Sequence, residues 1–87
     1  MPANDEILEF LKDVIVNISD IDKSELQSST PVGQIGLESL DFVEVQVNLR
    51  KKYGVEVPGR VFADGDTSDL GSIVEYIQAQ LANLQQA

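Results

Sequence analysis

Leu70, Ile73, Val74, Ile77, Leu81 and Leu84 recur at the i, i+3, i+4, i+7 spacing of one helix face. Near the other end, Ile7, Leu8, Leu11, Val14, Ile15 and Ile18 do the same. An amphipathic helix must bury its apolar stripe against a neighbour, so two such segments in 87 residues commit the chain to helix-on-helix packing. The first reads as a helix over 4–17, with Asn4 as N-cap. Asp5 and Glu6 fall in its first turn, where the positive end of the helix dipole favours carboxylates. The last helix begins near Leu70, with Thr67 or Ser68 as its cap and Asp69 in the first turn; the closing NLQQA frays.

Between them, LDFVEVQVNLRKKYG (40–54) carries two periods at once. Val43, Val45, Val47 and Leu49 alternate with polar residues as in a strand. At helical spacing the same run gives two stripes, one of Leu40, Val43 and Val47, the other of Phe42, Val45, Leu49 and Tyr53. Length decides, because about 14 uninterrupted residues exceed a typical strand. Gly54 is then a C-cap, and Arg50, Lys51 and Lys52 fall in the last turns, where the dipole favours cations. VEVP (55–58) is extended, since Val57 precedes a proline, and RVFA (60–63) forms one short helical turn. Residues 19–38 make a long connection rich in Ser, Asp, Gly and Pro, pinned by Ile21, Leu26, Val32, Ile35 and Leu37. Gly33 and Gly36 give its end backbone freedom. The expected fold is all-α: a small four-helix bundle of three main helices and one short helix, with a long loop between helices 1 and 2. It forms one domain over 1–87, with a core over about 4–82.

Composition narrows the function. Fifteen acidic residues against six basic give a net charge of −9, which speaks against nucleic acid and anionic membrane as partners and suits docking onto basic protein surfaces. No apolar run approaches the roughly 18 residues of a membrane span, so membrane insertion is not expected. Cys and His are both absent, removing the thiolate nucleophile and the commonest general base and metal ligand, so the chain reads as no enzyme. Two acidic runs imitate calcium loops. The one from Asp20 has Pro31 where a bidentate carboxylate belongs, and the one from Asp64 has Asp69 where the sharp-turn glycine belongs. Neither holds metal. The Asn17-Ile18-Ser19 sequon has no basic signal segment before it, and the expected location is the cytoplasm, as a monomer. Glu38 and Asp41, three residues apart at a helix start, both face water and lack the contrast in surroundings that acid–base catalysis needs.

That leaves Ser39, in GLESLD at the start of helix 40–53. A serine there is ordinarily a cap. The other reading is that it carries a covalent anionic group beside the unpaired N–H groups and positive end of the helix dipole.

The run GLESLDFVEVQVNLRKKYGVEVP (36–58) resembles the signature of acyl carrier proteins, in which a Gly-x-Asp-Ser-Leu motif opens the second helix. The resemblance extends over nearly the whole chain, through Thr30-Pro31 in the long loop, the Val-x-Val-Pro step and Glu75-Tyr76-Ile77 in the closing helix. It implies that Ser39 accepts 4′-phosphopantetheine from coenzyme A through a phosphopantetheinyl transferase. Acyl groups then ride as thioesters on the thiol of the arm, so the chain needs no Cys of its own. It also implies docking by Glu38, Leu40, Asp41 and Glu44 to synthases, transferases or ligases with basic patches. A cleft for apolar cargo would involve Val43, Val47 and Ile73, which serve equally well as bundle core. An aminoacyl carrier of the peptidyl or D-alanyl type, or an unmodified acidic interaction module, are the alternatives. Three departures stand out: Glu38 where the family has Asp, the cations Arg50, Lys51 and Lys52 on a helix that is commonly acidic, and a longer 59–68 segment with Val61-Phe62.

Overall fold

The computed structural model describes residues 2–63 and 69–86, without the side chains of Ala63, Gln85 and Gln86. In chain order it contains α1 (Asn4–Ile18), a 3-10 turn (Lys23–Glu25), α2 (Val32–Ile35), α3 (Ser39–Tyr53), α4 (Gly59–Ala63) and α5 (Leu70–Gln86). The expected all-α bundle with three long helices is present. Among the described residues no helix is long and apolar enough to cross a membrane.

α1 is the hub. Its buried residues Ile7, Leu11, Val14 and Ile15 face both α3 and α5. α3 answers with Val45 and Leu49, and α5 with Leu70, Ile73, Val74 and Ile77, all buried. The start of α1 differs from expectation. Ala3, in extended conformation, is the cap residue and makes no side-chain bond, while Asn4 is already helical. The Ala3 carbonyl accepts from the N–H groups of Glu6 and Ile7 at 3.0 and 3.2 Å, so the turn closes one residue early. Asp5 and Glu6 in the first turn offset the missing cap through the dipole.

The 19–38 connection is less irregular than its composition suggested. Its 3-10 turn is capped by Asp22, whose carboxylate accepts from the Ser24 N–H at 3.0 Å, and Pro31 precedes the single turn of α2. Leu26, Val32 and Ile35 are buried in the common core, as pinning required. The backbone of the connection also completes α5. Thr30 and Ser28 carbonyls accept from the N–H groups of Leu70 and Gly71 at 3.2 and 2.8 Å. Asp69 Oδ1 accepts from the Ser72 N–H at 2.8 Å, so Asp69 caps α5 instead of lying in its first turn. Thr67 and Ser68, the expected caps, lie outside the described residues, as do the first five residues of the Asp64 calcium-like run. A Cβ on Gly71 would stand 3.2 Å from the Ser28 carbonyl oxygen, which is why the closest approach falls at a glycine. Gly36 and Gly54 end α2 and α3 in the left-handed region at φ 78° and 70°; Gly33 lies inside α2 and has no such role.

Val55 and Val57 are buried, and Gln46 Nε2 donates to the Val57 carbonyl at 2.7 Å, tying the extended step to α3. In α4, Phe62 packs on Phe42 with ring centroids 5.4 Å apart.

On the surface Lys23 bridges Glu9 and Asp13, each at 2.8 Å, and so clips the connection to α1. Hydrogen bonding to the two carboxylates raises the Lys23 pKa to about 12, and the bond to Lys23 lowers that of Glu9.

Two outcomes are expected. Leu49→Ala, which empties a fully buried site between α3 and α1, lowers unfolding free energy by about 2–5 kcal/mol in urea titration. Lys23→Gln lowers Tm most between about pH 5 and 10. Glu9 is depressed, so its share is present above its unfolded value of 4.5 and is lost as pH falls through the lower folded value. Lys23 is raised, so its share is complete below 10.5 and is lost as pH rises through about 12. The Tm gap between the two proteins therefore closes at both ends and shrinks in high salt.

Candidate functional site

Gly36 reverses the chain at the end of α2, and Glu38 follows in extended conformation as the cap residue of α3. Its N–H donates to Asp41 Oδ2 at 2.9 Å, and the Glu38 carboxylate faces the Asp41 N–H, forming a reciprocal capping box. Ser39 is therefore the first helical residue and takes no part in the cap. Its side chain is exposed at the positive end of the α3 dipole. Of the two readings of this serine, capping is excluded by the geometry: Glu38 and Asp41 do that work. Glutamate is a poor intrinsic cap, so the sequence carried no signal for this arrangement.

The two stripes of α3 have separated into two roles. Val45 and Leu49 are buried, with Phe42 and Tyr53 half-buried, and Phe10 meets Tyr53 edge-on at 5.5 Å. The other stripe faces water: Leu40 is 77% exposed, Val43 51% and Val47 43%. Glu44 is exposed on the same side, one turn from Leu40, so Glu38, Ser39, Leu40, Val43, Glu44 and Val47 make one outward surface. Asp41 is half-buried at its edge.

The three cleft candidates do not come together. Val43 and Val47 line an open groove of about 510 Å³, whose opposite wall is Val57, Pro58, Tyr76 and Gln80. Those wall residues were not anticipated, because nothing in the local pattern links 57–58 to 76–80. Ile73 is instead 1% exposed and faces an internal apolar cavity with Leu11, Ile15 and Phe62. That cavity measures only about 10 Å³, at the limit of what one water requires and far too small for an acyl chain. Among the described residues there is no cluster of three or more acidic side chains placed to hold a metal.

An exposed hydroxyl at a helix start, excused from capping and bordered by an apolar, acidic face, is suited to carry a bulky phosphodiester. Residues 9–77 match the family of phosphopantetheine attachment sites. The chain belongs to this family. It is an acyl carrier-type protein, and its cofactor is covalent 4′-phosphopantetheine. The meromycolate extension acyl carrier protein of Mycolicibacterium smegmatis is 33% identical over 77 residues, covering 87% of this chain and 76% of the relative. The acyl carrier protein of Clostridium acetobutylicum is 31% identical over 74 residues, covering 84% of this chain and 94% of the relative. A segment of the orsellinic acid synthase armB of Armillaria mellea, 3% of that protein, is 30% identical over 79% of this chain.

If the cap is built as described, Ser39→Ala leaves unfolding free energy within about 0.5 kcal/mol of the parent. Asp41→Ala, which removes the acceptor of the Glu38 N–H, lowers it by roughly 1 kcal/mol. Urea titration of the two variants side by side distinguishes them.

Proposed function

We propose that Ser39 is the attachment point of the 4′-phosphopantetheine arm and that the chain shuttles acyl groups between biosynthetic enzymes. The observation that carries this reading is the exposed Ser39 hydroxyl, relieved of capping by Glu38 and Asp41 at the start of α3. A phosphopantetheinyl transferase must bring that oxygen to the pyrophosphate of coenzyme A. The capping box fixes the start of α3, where the Ser39 side chain is exposed to an incoming phosphorus. The dipole of α3 favours the negative phosphodiester once it forms. The bound arm supplies a thiol that holds cargo as a thioester; the chain itself binds, presents and releases, and is not a catalyst.

Leu40, Val43 and Val47 supply the apolar part of the docking face, and Glu38, Asp41 and Glu44 its charge. Attraction of this kind speeds encounter more than it strengthens the complex, which suits a carrier that must leave each enzyme quickly. The closed interior favours cargo that travels outside the bundle core, with the Val43–Val47 groove as the nearest apolar surface. Similarity to a meromycolate extension carrier and to a segment of an orsellinic acid synthase supports acyl cargo over aminoacyl cargo. The absence of a membrane-crossing helix among the described residues and the acidic surface fit a monomer working in the cytoplasm.

Incubation with coenzyme A, magnesium and a broad-specificity phosphopantetheinyl transferase, followed by intact-mass measurement, tests the assignment. The parent gains one phosphopantetheine and Ser39→Ala gains none. An adduct that survives Ser39→Ala overturns the assignment of the site, and a parent that gains no adduct supports the unmodified interaction module instead. Once the arm is in place, Glu44→Lys slows cargo transfer from partner enzymes at low salt and much less at high salt.

A further inference from the structure

Three of the six basic residues of this acidic chain stand in succession at the end of α3. The helix dipole accounts for cations there, but not for where they point. Lys52 turns back over the Phe10 ring, 5.8 Å from its centroid, on the side of α3 that meets α1. Arg50 and Lys51 are exposed on the opposite side, which they share with Leu40, Val43, Glu44 and Val47. Arg50 lines the same groove as Val43 and Val47, and the carboxylate it meets among the described residues, that of Glu56, is 3.8 Å away with both side chains largely exposed. Lys23 and Lys12 are engaged differently, lying against carboxylates of α1.

The outward face of α3 is thus bipolar. Its first half carries Glu44 beside the apolar Leu40 and Val43, Val47 follows, and its far end is cationic through Arg50 and Lys51. Glu44 and Lys51 are seven residues apart, or about 10.5 Å along the axis. A uniformly basic partner surface would attract the near end and repel the far end. We propose that the partner enzymes of this carrier present a complementary bipolar strip. It has cationic side chains beside the entrance that receives the arm, an apolar contact, and carboxylates about 10 Å farther out, opposite Arg50 and Lys51. This inference rests on the carrier function proposed above and defines which partners that surface selects.

The test uses the arm-bearing full chain and, as probe, a malonyl-CoA transacylase of bacterial fatty-acid synthesis whose carrier-docking patch is lysine- and arginine-rich. The substitutions are Arg50→Glu with Lys51→Glu, and Arg50→Gln with Lys51→Gln as a charge-neutral control; circular dichroism verifies that each stays helical. The expected result is a kcat/KM higher on the order of tenfold for the Glu pair at low salt, with kcat unchanged. The Gln pair falls between, and the gain collapses at high salt. A transacylase variant with carboxylates substituted at the positions facing residues 50 and 51 reverses the preference in favour of the parent chain. Equal kcat/KM for parent and Glu pair at low salt, or a reversed transacylase that still prefers the Glu pair, overturns the inference. A chain that accepts no arm overturns the carrier function instead and is seen by mass before any transfer is measured, so the two failures are distinguishable.

Discussion

The apolar face of α1 organises everything else in this molecule. Ile7, Leu11, Val14 and Ile15 are buried on it, and both long partner helices pack against them. Because α1 occupies only one side of α3, just one of the two apolar stripes of α3 can be buried. Val45 and Leu49 take that place, and Leu40, Val43 and Val47 are left in water at a cost in exposed apolar surface. A contiguous exposed stripe beginning one residue after an exposed serine is a feature that folding alone does not explain, and such patches mark binding surfaces. The proposed docking face is in this sense the remainder of the packing.

The second constraint is local. Four N–H groups at the start of any helix need partners or water. Here Glu38 and Asp41 meet that need for two of the groups, with a 2.9 Å bond from the Glu38 N–H to Asp41 Oδ2 and the Glu38 carboxylate against the Asp41 N–H. Ser39 is left out of the cap, so the modification proposed for it leaves the cap intact. Glu38, the motif residue that departs from the family pattern, thereby acquires a structural role, since a carboxylate at that position reaches the third backbone N–H of the helix. Placement of Arg50 and Lys51 on the same outward face as Glu44 then turns a generally acidic docking helix into one with direction.

Much of this was legible in the residues. The stripes of α1 and α5 are unambiguous at helical period, and the double stripe of 40–53 correctly anticipated two apolar sides, though not which of them faces α1. The left-handed Gly36 and Gly54 followed from glycine stereochemistry. What stayed hidden depends on chain segments far apart in sequence. Asp69 caps α5, and the Ser28 and Thr30 carbonyls complete its first turn, because the 19–38 connection folds back over it. Ile73 was grouped with Val43 and Val47 as cleft lining, but the helices carry it into the closed core while Tyr76 and Gln80 join the groove. The cap of α1 at Ala3 escaped notice since a cap without a side-chain bond leaves no mark in the sequence.

The central claim is that one hydroxyl, freed by its neighbours' capping bond, carries the arm. Fragmentation mass spectrometry of the arm-bearing chain addresses it residue by residue. Ejection of the phosphopantetheine group from a fragment in which Ser39 is the only modified residue is the result the structure predicts. Modification at Ser28, Ser29 or Ser72, with Ser39 unmodified, would contradict it.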